Sequence, residues 1–179
     1  MRNKVLTKER IIEVGESIIK NENLDACTTR RLANELDCGL GTIYNYFSSR
    51  ETFLKQVFIH SWQKTFVKIE KVVKSDNTPD LKISEMFDTI NRDISHRNGI
   101  GNYILKTAGN NAGDEDEISK YIKEVIKTLL RESSLLKDSI DEVIDIHTDW
   151  IYYGSIMLRK KGKDMELFKQ QVMKKYFYK

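Results

Sequence analysis

Residues 28–57 read TTRRLANELDCGLGTIYNYFSSRETFLKQV, and the organisation of the chain is decided within them. Thr28 has the side chain of a helix N-cap, and Leu32, Ala33 and Leu36 then fall on one face of a short helix. The run DCGLG that follows leaves room only for a tight turn. A second short helix extends from about Leu40 to Phe47, with Ile43 and Phe47 on its inner face. Thr42, Tyr44, Asn45 and Tyr46 are left for the other faces, and these side chains donate and accept hydrogen bonds of the kind phosphates and base edges offer. Ser48 or Ser49 can cap a third helix, and Glu51 suits its positive N-terminal end. Two short helices across a tight turn, after a longer helix, make the helix-turn-helix layout.

The flanking sequence supplies that longer helix. From Thr7, the residues Ile11, Val14, Gly15, Ile18 and Ile19 line one face until the pattern gives out near KNENLDAC. Downstream, apolar positions from Leu54 through Trp62, Phe66 and Ile69 to Val73 predict a long fourth helix over about 49–75. The break KSDNTPD after it holds the single proline, Pro79. Further helical stripes run from Ile83 to Ile94, less regularly through Tyr103, Ile104 and Leu105, and from Ile118 to Leu130. Two last helices are expected, from about Ser139 to Lys160 and from about Asp164 to Tyr178. No alternating strand pattern intervenes, so the chain reads as all-α.

Composition narrows the function classes. The 179 residues are 40% hydrophobic and 32% charged, as in a helical globular protein, and suffice for a sizeable core. No apolar run reaches the ~18 residues of a membrane span, and MRNKVLTKERIIEVG lacks a signal-peptide core, so a cytoplasmic protein without membrane contact is expected. Cys27 and Cys38 are too few for a disulfide framework or a structural zinc site. With 30 basic and 27 acidic residues, the net charge of +3 argues that any nucleic-acid contact comes from a few placed groups. His60, His96 and His147 are widely spaced, and no hydrolase, zincin or P-loop pattern occurs; no catalytic residue, metal site or cofactor is expected.

The string from Thr28 to Val57 closely resembles the DNA-binding segment of the TetR/AcrR family of bacterial transcriptional regulators. The matching features are Thr28, the Leu32-Ala33 pair, Gly41-Thr42-Ile43-Tyr44-Asn45-Tyr46-Phe47, Ser49-Arg50 and Glu51, and the likeness extends over about residues 7–57. It implies a helix-turn-helix DNA-binding domain over residues 1–47 and a helical ligand-binding and dimerisation domain over 48–179. By the same resemblance, Thr28 or Thr29 contacts a phosphate and Arg30 reaches a base, guanine being the geometric match. Gly41 and Thr42 stand at the front of the recognition helix. Tyr44, Asn45 and Tyr46 face the groove or its walls, and Arg50 grips a phosphate. Three positions depart from the family pattern. Asp37 replaces the turn glycine, Gly39 replaces a hydroxyl cap, and Leu40 replaces a polar base-reader, leaving it to touch a thymine methyl or to pack.

The resemblance further implies a homodimer on a palindromic double-stranded operator, most often as a repressor, with a small hydrophobic or aromatic inducer held in the C-terminal bundle. Trp62, Phe66, Met86, Phe87, Tyr103, Trp150, Tyr153 and Met157 are the candidate pocket residues, simple core packing being the more ordinary reading of any single one. The helix from Ser139 is apolar on two sides, so both must be covered. Ile144, His147, Ile151, Gly154 and Leu158, with Phe168 and Val172 of the last helix, are the candidate dimer surface. The competing reading is a helical adaptor whose helix-turn-helix is only scaffold and which takes no inducer.

Overall fold

The structure, a computed structural model, describes residues 6–96 and 117–178. Within them the chain forms α1 (Lys8–Asn21), α2 (Thr29–Glu35), α3 (Leu40–Tyr46), α4 (Arg50–Val73), α5 (Pro79–His96), α6 (Glu117–Arg131), α7 (Asp141–Lys160) and α8 (Met165–Tyr176). No strand occurs among the described residues, as the periodicity requires. The irregular helix expected around Tyr103 lies outside them.

Four helix starts are set by short polar side chains. Thr7 accepts from the Arg10 amide at 3.2 Å, Thr28 from Arg31 at 3.1 Å and Ser49 from Thr52 at 3.1 Å. Asp164 accepts from Glu166 at 2.8 Å. Each such cap contributes about 0.5–2 kcal/mol. At Gly39 the start of α3 has no side-chain cap.

The buried apolar residues fall into two clusters that meet on α4. The first joins Ile11 and Ile19 of α1, Leu32 of α2, Ile43 of α3 and Phe47 to Phe53, Val57 and Phe58 of α4. The second begins one turn later with Trp62 and Ile69 and gathers α5 to α8 around Ile83, Leu129, Ile151 and Val172. The N-terminal core thus takes in the first turns of α4, which cover apolar faces that α1 and the two short helices leave open. Phe53 closes it, edge-on to Phe47 at 5.1 Å and over Gly15 of α1. A Cβ at Gly15 would come within 2.3 Å of the Phe53 ring.

The two apolar sides of α7 resolve against the expectation. Ile144 and Ile151 are buried in the chain's own core, as are Phe168 and Val172 of α8. Gly154 lets the ring of its own Phe168 approach, a Cβ there meeting it at 3.2 Å. His147 is hydrogen-bonded to Tyr176 at 2.7 Å, and Leu158 is half-buried against the C-terminal core. Of these seven candidates for a dimer surface, Ile144, Ile151, Phe168 and Val172 are buried within the protomer, and His147, Gly154 and Leu158 are half-buried. Electrostatics agrees: Lys123, Lys127 and Arg131 of α6 pair with Asp149, Asp145 and Asp141 of α7 at 2.5, 2.5 and 2.7 Å. That antiparallel ladder fits an α7 whose Ile144–Ile151 face is turned inward. Ile146, Trp150, Tyr153 and Met157, spaced by four, three and four residues, remain on the outside.

Candidate nucleic-acid interface and effector cavity

The α2–α3 unit is held by a tight αL turn. Leu36 ends α2, Asp37 takes φ +48°, and the Asp37 and Cys38 amides donate to the carbonyls of Asn34 and Ala33 at 3.2 and 3.0 Å. This is the Schellman arrangement, with an aspartate in the position glycine usually takes. Cys38 tucks half-buried against the core as the small turn residue. The neighbouring Cys27 is buried beside the Gly15 carbonyl, and burial pushes its thiol up to about 11, so it packs as a protonated thiol.

On α3 only Ile43 is buried, and Phe47 follows it into the core. Leu40, Gly41, Tyr44 and Asn45 are exposed, Tyr44 by 49%, and Thr42 is half-buried. A Cβ on Gly41 would meet nothing within 4 Å, so packing inside the chain does not call for a glycine there. At the start of α2, Thr28 is exposed, its hydroxyl engaged as the cap, and Thr29 is half-buried.

The arginines divide sharply. Arg31 is held by Glu22 at 3.2 Å and Glu35 at 2.9 Å. Arg30 is exposed, and none of the acidic side chains among the described residues pairs with it. Arg50, expected at a phosphate, donates to the carbonyls of Cys27 at 3.2 Å and Leu24 at 2.9 Å, pinning the loop before α2 to the start of α4. Tyr46 likewise gives its hydroxyl to the Leu6 carbonyl at 2.5 Å and ties down the chain ahead of α1. Both donors thus also hold the fold, by satisfying carbonyls left over in loops.

The C-terminal bundle encloses a cavity of about 50 Å³ between α4, α5, α6, α7 and α8. Trp62, Met86 and Phe87 line it as expected. Phe66 lies elsewhere, against Tyr121 with 4.2 Å between ring centroids. Trp150, Tyr153 and Met157 face outward and are removed from the candidate lining; Tyr103 lies outside the described residues. Sequence reading missed the polar end of the cavity, Asn91 and Arg159, where the Arg159 guanidinium donates to the Asn91 side-chain carbonyl. Burial lowers the pKa of Arg159 below its ordinary value. The available signal was weak: Asn91 and Arg159 each flank an apolar stripe and look like ordinary solvated positions.

No family model matches the chain. An HTH-type transcriptional regulator of Staphylococcus aureus (strain bovine RF122 / ET3-1) is 24% identical over 112 residues, 59% of this chain. The chain spans about 60% of the length of that relative. Among solved structures, apo ActR from Streptomyces coelicolor superposes with a TM-score of 0.60 at 21% identity, over 87% of this chain and 70% of ActR. A protein from Shewanella sp. PV-4 described as a TetR-family transcription regulator gives 0.58 at 15% identity, over 94% and 89%. The all-α architecture, with the α2–α3 helix-turn-helix set on a helical bundle, is therefore the fold of the TetR-like regulators.

Proposed function

We propose that the chain is a DNA-binding transcriptional regulator, a ligand-responsive repressor that acts as a homodimer on a palindromic operator. The observation that carries this reading is α3 itself. A seven-residue helix with one fully buried side chain leaves Leu40, Gly41, Tyr44 and Asn45 outward, while Arg30 of α2 is exposed and in no ion pair among the described residues. Such a surface contributes little to the chain's own stability and matches the donor, acceptor and methyl pattern of a major groove.

Dimerisation is supported by the outer stripe of α7. Ile146 and Met157 are 67% and 57% exposed, and Trp150 and Tyr153 lie between them on the same helix, also exposed. Contiguous apolar exposure of this kind marks an association surface. A two-fold axis through it would give each protomer one half-site, with recognition helices about 34 Å apart on one face of the duplex. The cavity supports a ligand response, because Trp62 in its wall sits one turn along α4 from Phe58 in the N-terminal core. A ligand that prefers a shifted α4 would move the recognition helix with it, in proportion to its differential affinity for the two states.

The test is sedimentation of the protein with a duplex drawn from its own selected sequences. Two protomers per palindromic duplex are expected, with sequence-scrambled duplex left unbound at about 150 mM salt. A folded protein that ignores every duplex would support the adaptor reading instead.

A further inference from the structure

The effector cavity has an apolar body and a single charged end. Ile90, Ile94, Ile122 and Ile156 give it an aliphatic wall, and Arg159 enters from the last turn of α7. An arginine withdrawn from water ordinarily has a carboxylate beside it. Here the two acids of the facing helix α5 that flank Asn91 in sequence are engaged with lysines: Asp88 holds Lys169 at 2.8 Å and Asp93 holds Lys68 at 2.8 Å. No carboxylate among the described residues lies at ion-pair distance from Arg159, and its guanidinium donates to the neutral amide oxygen of Asn91. One bond to an amide uses one of five guanidinium donors. The remainder form the fork that matches a carboxylate in two parallel bonds.

Resting on the regulator reading for its role as effector site, we propose that this cavity binds a short-chain aliphatic carboxylate, its head on the Arg159 guanidinium and its chain along the isoleucine wall toward Trp62. The size fits a small molecule. On the scale where a water needs about 10–15 Å³, about 50 Å³ holds three to five water-sized positions. Asn91, bonded to Arg159, keeps the guanidinium aimed from α7 across to α5 and donates through its own amide nitrogen to the same head group. The position of Arg159 near the α7 C-terminus favours the cation whether or not a ligand binds, so the charge of the head group is what discriminates.

The experiment is calorimetric titration of the whole DNA-free protein with butanoate and hexanoate, against the chain-matched alcohols and amines. The carboxylates are expected to bind at least about tenfold more tightly than the alcohols, and the amines not at all. Arg159→Gln, checked for an unchanged helical spectrum, is expected to erase the carboxylate preference. Equal binding of acid and alcohol, no carboxylate binding, or an unchanged preference in Arg159→Gln overturns the assignment. The head-group comparison on the unmodified protein stands even where the variant fails to fold. Duplex binding is read separately on the same preparation: duplex binding without carboxylate binding overturns this site and leaves the regulator reading standing. Carboxylate binding without duplex binding supports the site and removes that reading.

Discussion

At the residue scale, adjacent side chains of one type do different work. Arg30 and Arg31 are both surface arginines at the start of α2, yet Glu22 and Glu35 hold only Arg31. Arg30→Ala is therefore expected to weaken operator binding by about 1–3 kcal/mol, and Arg31→Ala by less than half of that. Fluorescence anisotropy on a labelled operator checks it, and equal losses would contradict the division. Asp37 gives a second case, a non-glycine residue at φ +48° in the turn. Asp37→Gly relieves left-handed strain and loses some unfolded-state restriction, for a net gain of about 0.5–1 kcal/mol in urea unfolding. The special position of Asp37 was legible only through the family resemblance, in which a turn glycine stands there. The structural duties of Arg50 and Tyr46 were not, since their acceptors are loop carbonyls that leave no mark on residue identity.

At the element scale, the helices and their caps follow directly from periodicity and from Thr28 and Ser49, whereas the rotation of α7 does not. Both its sides are apolar, and hydrophobicity alone cannot rank them. The missed cue was charge spacing: Lys123, Lys127 and Arg131 match Asp149, Asp145 and Asp141 in reverse order at four-residue steps. With α7 so oriented, Ile146→Glu combined with Met157→Glu is expected to leave a folded monomer by sedimentation and circular dichroism. Ile151→Asp, by contrast, places an unpaired charge in the core and costs roughly 4 kcal/mol or more. A folded dimer from the first, or an undisturbed fold from the second, would reverse the assignment. Between α1 and α4, Gly15→Ala gains about 1 kcal/mol of helix propensity but forces Phe53 out of a closed core, a cost of about 1–3 kcal/mol. A lower denaturation midpoint is expected. The α7–α8 contact carries a pH signature. Burial, and then the Lys175 charge, lower the His147 pKa below its ordinary 6.5, so the folded protein prefers the neutral ring. Its contribution is complete above about pH 6.5 and is lost as pH falls through the lower folded value, because the unfolded chain takes the proton first. Melting temperatures from about pH 8 to about pH 5 should fall less for His147→Gln than for the unmodified protein.

At the scale of the whole molecule, α4 is the shared part. Its first turns close the N-terminal core through Phe53 and Phe58, and its next turn offers Trp62 to the cavity. On the regulator reading proposed above, a shift of this one helix would connect an effector to the spacing of two recognition helices, and about 5.5 kcal/mol of differential affinity would carry the population from one state to the other. The helix-turn-helix was legible from thirty residues because backbone turn chemistry and inner-face spacing dictate it locally. The cavity was not, since it arises where five helices fail to fill space, a property of packing and not of any one stretch. The central claim is that the outward face of α3 reads DNA. Selection of bound duplexes from a random pool by the purified protein, at two salt concentrations, tests it most directly. One palindromic motif is expected, with half-sites a helical turn apart and affinity falling steeply with salt; a folded protein that enriches no motif would show that this face does not read DNA.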